Sequence, residues 1–162
     1  MSGPIAGVDF DGAFTAGSRA TRFTPFTLGQ RACDADGNEY VYVQANGAVT
    51  ANDVVILSAA FQADAITSTN STDLIGAKIG VAKGTLADDD YGWVQIYGTA
   101  TINVGSSCAA NTTLNTTTTA GRIDDNATSG AETIFGLVTT AAESGNEAAG
   151  SLNYPMIDAT LA

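Results

Sequence analysis

The feature that most restricts this chain is a series of short apolar runs, each of strand length and each fenced by turn residues. Asp36-Gly37-Asn38 is a turn, and Glu39-Tyr40-Val41-Tyr42-Val43-Gln44-Ala45 then alternates with period two. Tyr40, Tyr42 and Gln44 share one face of that strand, and Val41, Val43 and Ala45 share the other. Asn46-Gly47 is a hairpin signal. Further strands are expected at Val54–Leu57, Ala63–Ile66, Lys78–Ala82, Gly92–Tyr97, Ala100–Val104, Gly121–Ile123, Ile134–Val138 and Ala149–Ile157. The strands 92–97 and 100–104 read as a pair joined at Gly98-Thr99. No segment of helix length carries an i, i+3, i+4, i+7 apolar stripe, so only the Ala-rich stretches 58–65 and 140–149 leave room for a short helix. Residues 106–120 are rich in Thr, Asn and Ala and nearly featureless, and no internal repeat points to a solenoid or propeller. Evenly spaced strands with such turns predict an all-β sandwich or barrel.

Composition narrows the chemistry. The 162 residues fit one domain. Leu, Ile, Val and Phe number only 34, against 28 Ala and 22 Thr, so a thin core and a surface of small polar residues are expected. There is no His, which removes an imidazole base, a His-activated nucleophile and any His-containing zinc site. Six basic residues face seventeen acidic ones, and a net charge of −11 opposes non-specific binding to nucleic acid or to an anionic membrane. No secretory signal is read at the N-terminus, and no apolar run nears the ~20 residues a membrane helix needs. Cys33 and Cys108 lack metal-ligand spacing and are read as free thiols.

Three local patterns invite a chemical reading, and each has a plainer one. Asp34-Ala35-Asp36-Gly37-Asn38-Glu39 fails the calcium-loop template, because Gly37 falls at position 4 and Ala45 at position 12; a tight turn explains it. Asp88-Asp89-Asp90 is read as a solvated loop, with a cation only weakly supported. Lys78 and Lys83 have no phosphate-loop spacing, and no Gly-x-Ser-x-Gly occurs. The Asn-x-Ser/Thr sites at Asn70, Asn111, Asn115 and Asn126 follow from a Thr-rich composition. No catalytic, cofactor or metal residues are therefore expected.

Residues 1–32 differ from the rest. They hold Arg19, Arg22 and Arg31, half of the basic residues, and Phe10, Phe14, Phe23 and Phe26, four of the six Phe. Two readings stay open: an extended arm ordered against something else, or a surface loop folded back on its own domain. We place an N-terminal arm at 1–34 and a β-rich domain at 35–162. Trp93 alternates with Gln95 and Tyr97 on one strand face, as a core anchor or a subunit contact.

The central block resembles the capsid cement (decoration) proteins of tailed bacteriophages. The likeness rests on Ile75-Gly76-Ala77-Lys78-Ile79-Gly80-Val81-Ala82, an Asp-rich spacer, and Tyr91-Gly92-Trp93-Val94-Gln95-Ile96-Tyr97-Gly98-Thr99-Ala100. Looser agreement extends over about residues 35–157, and the arm carries no matching motif. The resemblance implies a β-rich domain, and together with the strand spacing and the distinct N-terminal residues the expected fold is a compact antiparallel β-sandwich or β-barrel, β-tulip-like, with an extended N-terminal arm. It implies a structural virion protein on the outer face of the head, trimeric, binding the major capsid protein and stabilising the shell against DNA pressure. It implies no enzyme, no cofactor, no nucleic acid and no membrane. Arg19, Arg22, Phe23, Phe26 and Arg31 are the expected capsid contacts, through forked hydrogen bonds and buried apolar area. Trp93 and Tyr97 are expected in the core or at the subunit interface. The rival readings are a carbohydrate-binding or adhesion module, with Trp and Tyr stacking sugars, and a structural domain of a tail or fibre.

Overall fold

The computed structural model describes residues 8–15, 26–126 and 128–161. The expected capsid contacts Arg19, Arg22 and Phe23 lie outside them. Ten strands form in chain order: β1 (Arg31–Cys33), β2 (Glu39–Ala45), β3 (Val54–Leu57), β4 (Gln62–Ala65), β5 (Lys78–Ala82), β6 (Tyr91–Asn103), β7 (Leu114–Thr116), β8 (Ile123–Asp124), β9 (Glu132–Thr139) and β10 (Glu147–Thr160). No helix occurs among the described residues, and the two Ala-rich stretches run as strand and turn.

All ten strands join one sheet in the order β1-β2-β4-β3-β5-β6-β10-β9-β7-β8, with a further pairing of β2 to β6. That pairing closes β2-β4-β3-β5-β6 into a ring. The alternation read from the sequence fills it: Val41, Val43, Ala45, Val55, Leu57, Ala63, Ala82, Val94 and Ile96 form one buried cluster. Val49 and Leu86, bridged to each other, belong to the same cluster. The opposite faces of β3 and β5 are buried too. Val54, Ile56, Ile79 and Val81 pack against Ile102, Leu114, Ile134, Leu137, Leu152 and Ile157 of the later strands. A strand buried on both faces reads as a continuous apolar run, which is why Val54–Leu57 does not alternate.

Three expectations are corrected. The sheet is mixed rather than antiparallel, because β2 and β4 run parallel, with Gln44 opposite Gln62 and Ala45 opposite Ala63. The β3–β4 hairpin folds its second arm into the gap beside β2, and ring closure sets that direction. Gly98-Thr99 does not separate two strands. It is a bend inside the 13-residue β6, with Gly98 at φ +97°. Residues 91–97 pair with β2 and residues 97–103 pair with β10. The Gln95 side-chain amide, buried beside the bend, donates to the carbonyls of Tyr97 (3.1 Å) and Thr99 (2.9 Å). A β-carbon at Gly98 would sit 2.0 Å from Asn38 Oδ1, so only glycine fits. The third correction concerns the arm. Residues 31–33 form β1, hydrogen-bonded to β2, so no boundary falls between Cys33 and the domain.

The described part of the arm folds back on its own barrel. Val8, Phe10, Phe14, Phe26 and Leu28 pack on Ala32, Tyr40, Tyr42 and Trp93, the outward face of β2 and β6. Phe10 stacks on Tyr40 at 4.1 Å, and Phe26 meets Trp93 edge-on at 5.0 Å. Phe14 and Tyr91 exchange both backbone hydrogen bonds, at 2.8 and 2.9 Å. Two polar tips inside this cluster, Tyr42 Oη and Trp93 Nε1, find no hydrogen-bond partner among the described residues. Burial, with a smaller push from Tyr91, raises the Tyr42 phenol to about 12.

Two outcomes follow. Deleting residues 1–34 uncovers Tyr40, Tyr42 and Trp93, each worth about 1.5–3 kcal/mol buried. The circular-dichroism melt should drop sharply or disappear, and an unchanged midpoint would mean the arm adds nothing to the fold. Tyr42→Phe deletes a buried hydroxyl that has no partner among the described residues. Denaturant titration should show equal stability or a gain of up to about 1 kcal/mol.

Candidate interaction surface

The structure sorts the expected contact residues into two places. Phe26 and Trp93 meet inside the aromatic cluster beneath the arm. Phe26 is half-buried there, so its apolar area serves this chain's own core rather than a free contact surface. Trp93 is 1% exposed and is a core anchor, which also takes it away from any sugar-stacking role. Arg31 and Tyr97, by contrast, come together on the opposite flank of β2 and β6, around a bulge in β10.

The bulge follows from two local breaks of strand rules. Between Leu152 and Met156, β10 spends four steps where its partner β9 spends two. Pro155 lies inside the bulge, and a proline is tolerated in a strand where it has no ladder bond to donate. Gly136 takes φ +79° opposite it, and a β-carbon there would fall 2.7 Å from the Asn153 carbonyl oxygen. Tyr154, at φ +50°, turns outward and stacks on Tyr97 with ring centroids 5.3 Å apart. The Arg31 guanidinium lies 5.6 Å over the Tyr154 ring and 3.7 Å from a Glu39 carboxylate oxygen. The Tyr154 hydroxyl donates to Glu39 Oε1 at 2.8 Å. That hydrogen bond first, and partial burial second, raise the Tyr154 phenol.

Around this knot the surface is apolar. Among the described residues, the exposed large hydrophobic side chains are Leu74, Ile75, Tyr97, Phe135, Tyr154 and Met156. Register brings them to one region. Met156 pairs with Lys78 on one side and with Phe135 on the other. The 74–77 segment is tied to Ile157 through the Gly76 amide and the Ala77 carbonyl. Ile75 and Phe135 are the most open, at 68% and 61%. Such residues are commonly scattered singly; their gathering here makes this region the candidate contact surface.

A cavity of about 190 Å³ opens beside this surface, where Tyr154 and Met156 border it. It is one mouth of the β2–β6 ring. Val41, Leu57, Ile79 and Ile96 line its floor, Phe61 and Met156 its walls, and Arg31, Lys78 and Tyr154 its rim. Sequence reading flagged Arg31 and Tyr97 but passed over Lys78, Phe135, Tyr154 and Met156. Pro155 inside an apolar run and Gly136 inside a strand were the available signals, since both mark bulges.

The other candidates resolve into structure. Asp34 caps its turn: Oδ1 accepts from the amides of Asp36 and Asn38, and Oδ2 from Asn38 Nδ2 and the Tyr40 hydroxyl. Burial pushes its carboxyl up, but these hydrogen bonds together outweigh burial and hold it below the usual range. Asp88, Asp89 and Asp90 do not converge. Asp90 is buried and accepts from the Ala87 amide, Asp89 accepts from Gln44, and Asp88 is exposed. Cys108 lies with Asp124 and Asp125 close enough to share an ion. Burial and the charge of Asp125 raise its thiol to about 11, so it stays protonated at neutral pH. Both carboxylates are already engaged by backbone or Asn126 donors. Neither cysteine is in a disulfide.

No family model matches this chain, and no curated protein matches it.

Native protein treated with iodoacetamide at pH 7.5 should be alkylated at exposed Cys33 alone. Cys108 should react only on unfolding or as the pH nears 11, where its thiolate forms. Mass spectrometry of the digested protein reads this directly, and fast labelling of Cys108 in the folded state would contradict its placement.

Proposed function

We propose that this chain is a structural virion protein, a cement protein that binds the outer surface of the major capsid protein shell of a tailed phage as a homotrimer and stabilises the head. The observation that carries this reading is the single apolar face around Tyr97, Tyr154, Phe135 and Met156, set on an otherwise small-residue, acidic surface. A face of this kind suits attachment to a protein neighbour. The resemblance of residues 75–100 to head decoration proteins supports the same reading. The all-β architecture, stapled by closure rather than by disulfides, provides a rigid plate for such a contact. Arg31 takes part as a member of that face rather than as part of a free arm, and Phe26 supports the fold beneath the other side. Linking several such faces in one oligomer makes later contacts intramolecular, which raises avidity by on the order of 10²–10⁴.

The test is made on particles. Heads carrying the chain should hold hundreds of copies, and heads lacking it should release DNA at a lower temperature. Phe135→Ser combined with Ile75→Ser should leave the melt of the free protein unchanged, because both side chains are already open to water. The same pair should reduce occupancy on heads. A handful of copies per particle, or heads equally rugged without the chain, would reject the proposal.

A further inference from the structure

The cavity at the barrel mouth says more about the partner than the apolar face alone does. Three of its floor residues, Val41, Leu57 and Ile96, are side chains that the ring turns inward, and the fourth, Ile79, is buried on the other face of β5, so the floor is built by strands rather than by a loose surface loop. About 190 Å³ is enough for a phenyl ring or a branched aliphatic side chain, since a void of about 150 Å³ takes up benzene. Apolar pockets with a few placed polar groups favour the mouths of β-barrels.

The rim carries charge of the scarce sign. Four basic residues fall among those described: Arg31, Lys78, Lys83 and Arg122. Two of the four, Arg31 and Lys78, line this one cavity. Glu39 offsets part of the Arg31 charge through a 3.7 Å contact. Lys78 makes no ion pair among the described residues; its ammonium lies 5.6 Å over the Phe61 ring. In a chain of net charge −11, two cations beside an apolar hole select an anion next to an apolar group.

We propose that this cavity is a socket for an aromatic or branched apolar side chain flanked by carboxylates, presented on an extended segment of the shell protein. This rests on the reading that the surrounding face docks on a protein. A protein segment is the occupant, because Tyr154 and Met156 on the cavity's border continue into exposed Tyr97 and Phe135, apolar surface that a small molecule in the hole would leave wet. A filled pocket ringed by water-excluding contacts is the arrangement of binding hot spots.

The test uses isotope-labelled full-length protein and three blocked tripeptides: Asp-Phe-Asp, Lys-Phe-Lys and Asp-Ala-Asp. Asp-Phe-Asp should shift the amides of Leu57, Ile79 and Ile96 in a saturable way. The other two should bind at least about fivefold more weakly, the discrimination worth roughly 1 kcal/mol that such a charge pair supplies. Lys78→Glu should invert the preference between the Asp and Lys peptides. If that variant misfolds by circular dichroism, the wild-type affinity for Asp-Phe-Asp should instead fall several-fold between low and high salt. Equal binding of all three peptides, or shifts away from the cavity, overturns the socket. A socket that keeps its peptide ranking while Phe135→Ser with Ile75→Ser still fills heads normally would leave the socket standing and remove the docking face from the shell contact. The two failures are therefore told apart.

Discussion

The architecture depends on β6 serving three partners, β5 and β2 within the ring and β10 beyond it. Its first half is hydrogen-bonded to β2 and closes the ring, while its second half is hydrogen-bonded to β10 and starts the outer layer. One strand can change partners this way only if it bends without losing its ladder. Gly98 supplies the positive φ, and buried Gln95 satisfies the carbonyls that the bend strands. A β-carbon or an apolar residue at either place would leave buried backbone groups unpaired or force Asn38 away, and either outcome costs more than one hydrogen bond is worth.

Closure also explains how a chain with few large apolar residues builds a stable core. Each strand of a ring contributes one face inward, and β3 and β5 contribute both faces. Small residues such as Ala45, Ala63 and Ala82 fit the narrow interior, where larger ones would overpack. The aromatic residues go elsewhere. Tyr40, Tyr42 and Trp93 point out of the ring and need the arm to cover them. The described part of the arm is thus part of the fold, and Phe10, Phe14 and Phe26 serve the chain's own stability. Among the described residues the Tyr42 hydroxyl and the Trp93 indole have no hydrogen-bond partner, and the side chains that cover them, such as Phe10, Phe14 and Phe26, are apolar.

The contact face is the consequence of a second irregularity. Where β10 bulges at 153–155, it cannot continue the inward and outward alternation, and Tyr154 is thrown onto Tyr97. Arg31 reaches the same place only because β1 pairs with β2 in a register that sets it opposite Val41, which lines the cavity floor. Two of the four described basic residues, Arg31 and Lys78, end beside the apolar surface, while acidic residues such as Asp34 and Asp88–Asp90 remain in turns and loops.

Much of the fold was legible in the amino-acid sequence. Period-two alternation in Glu39–Ala45, with its Asp-Gly-Asn and Asn-Gly turns, gave the strand and both of its faces, because side-chain direction in a strand is a local property. The apolar run Val54–Leu57 likewise read as a strand, and the structure shows it buried on both faces. β1 and β7, three residues each, were missed, since a segment that short has no period and exists only by pairing with a neighbour. Gly98 was misread because a glycine with positive φ serves a turn and a bulge equally well, and only the partners on either side decide between them. Arg31 and Tyr97 were singled out separately, but nothing local says that they share a surface with Tyr154 and Lys78. That meeting comes from ring closure and strand register, which are set by long-range hydrogen bonds and packing. What the sequence determined alone was the strand alphabet and the sign of its charge; the tertiary structure decided which side chains were left facing outward together.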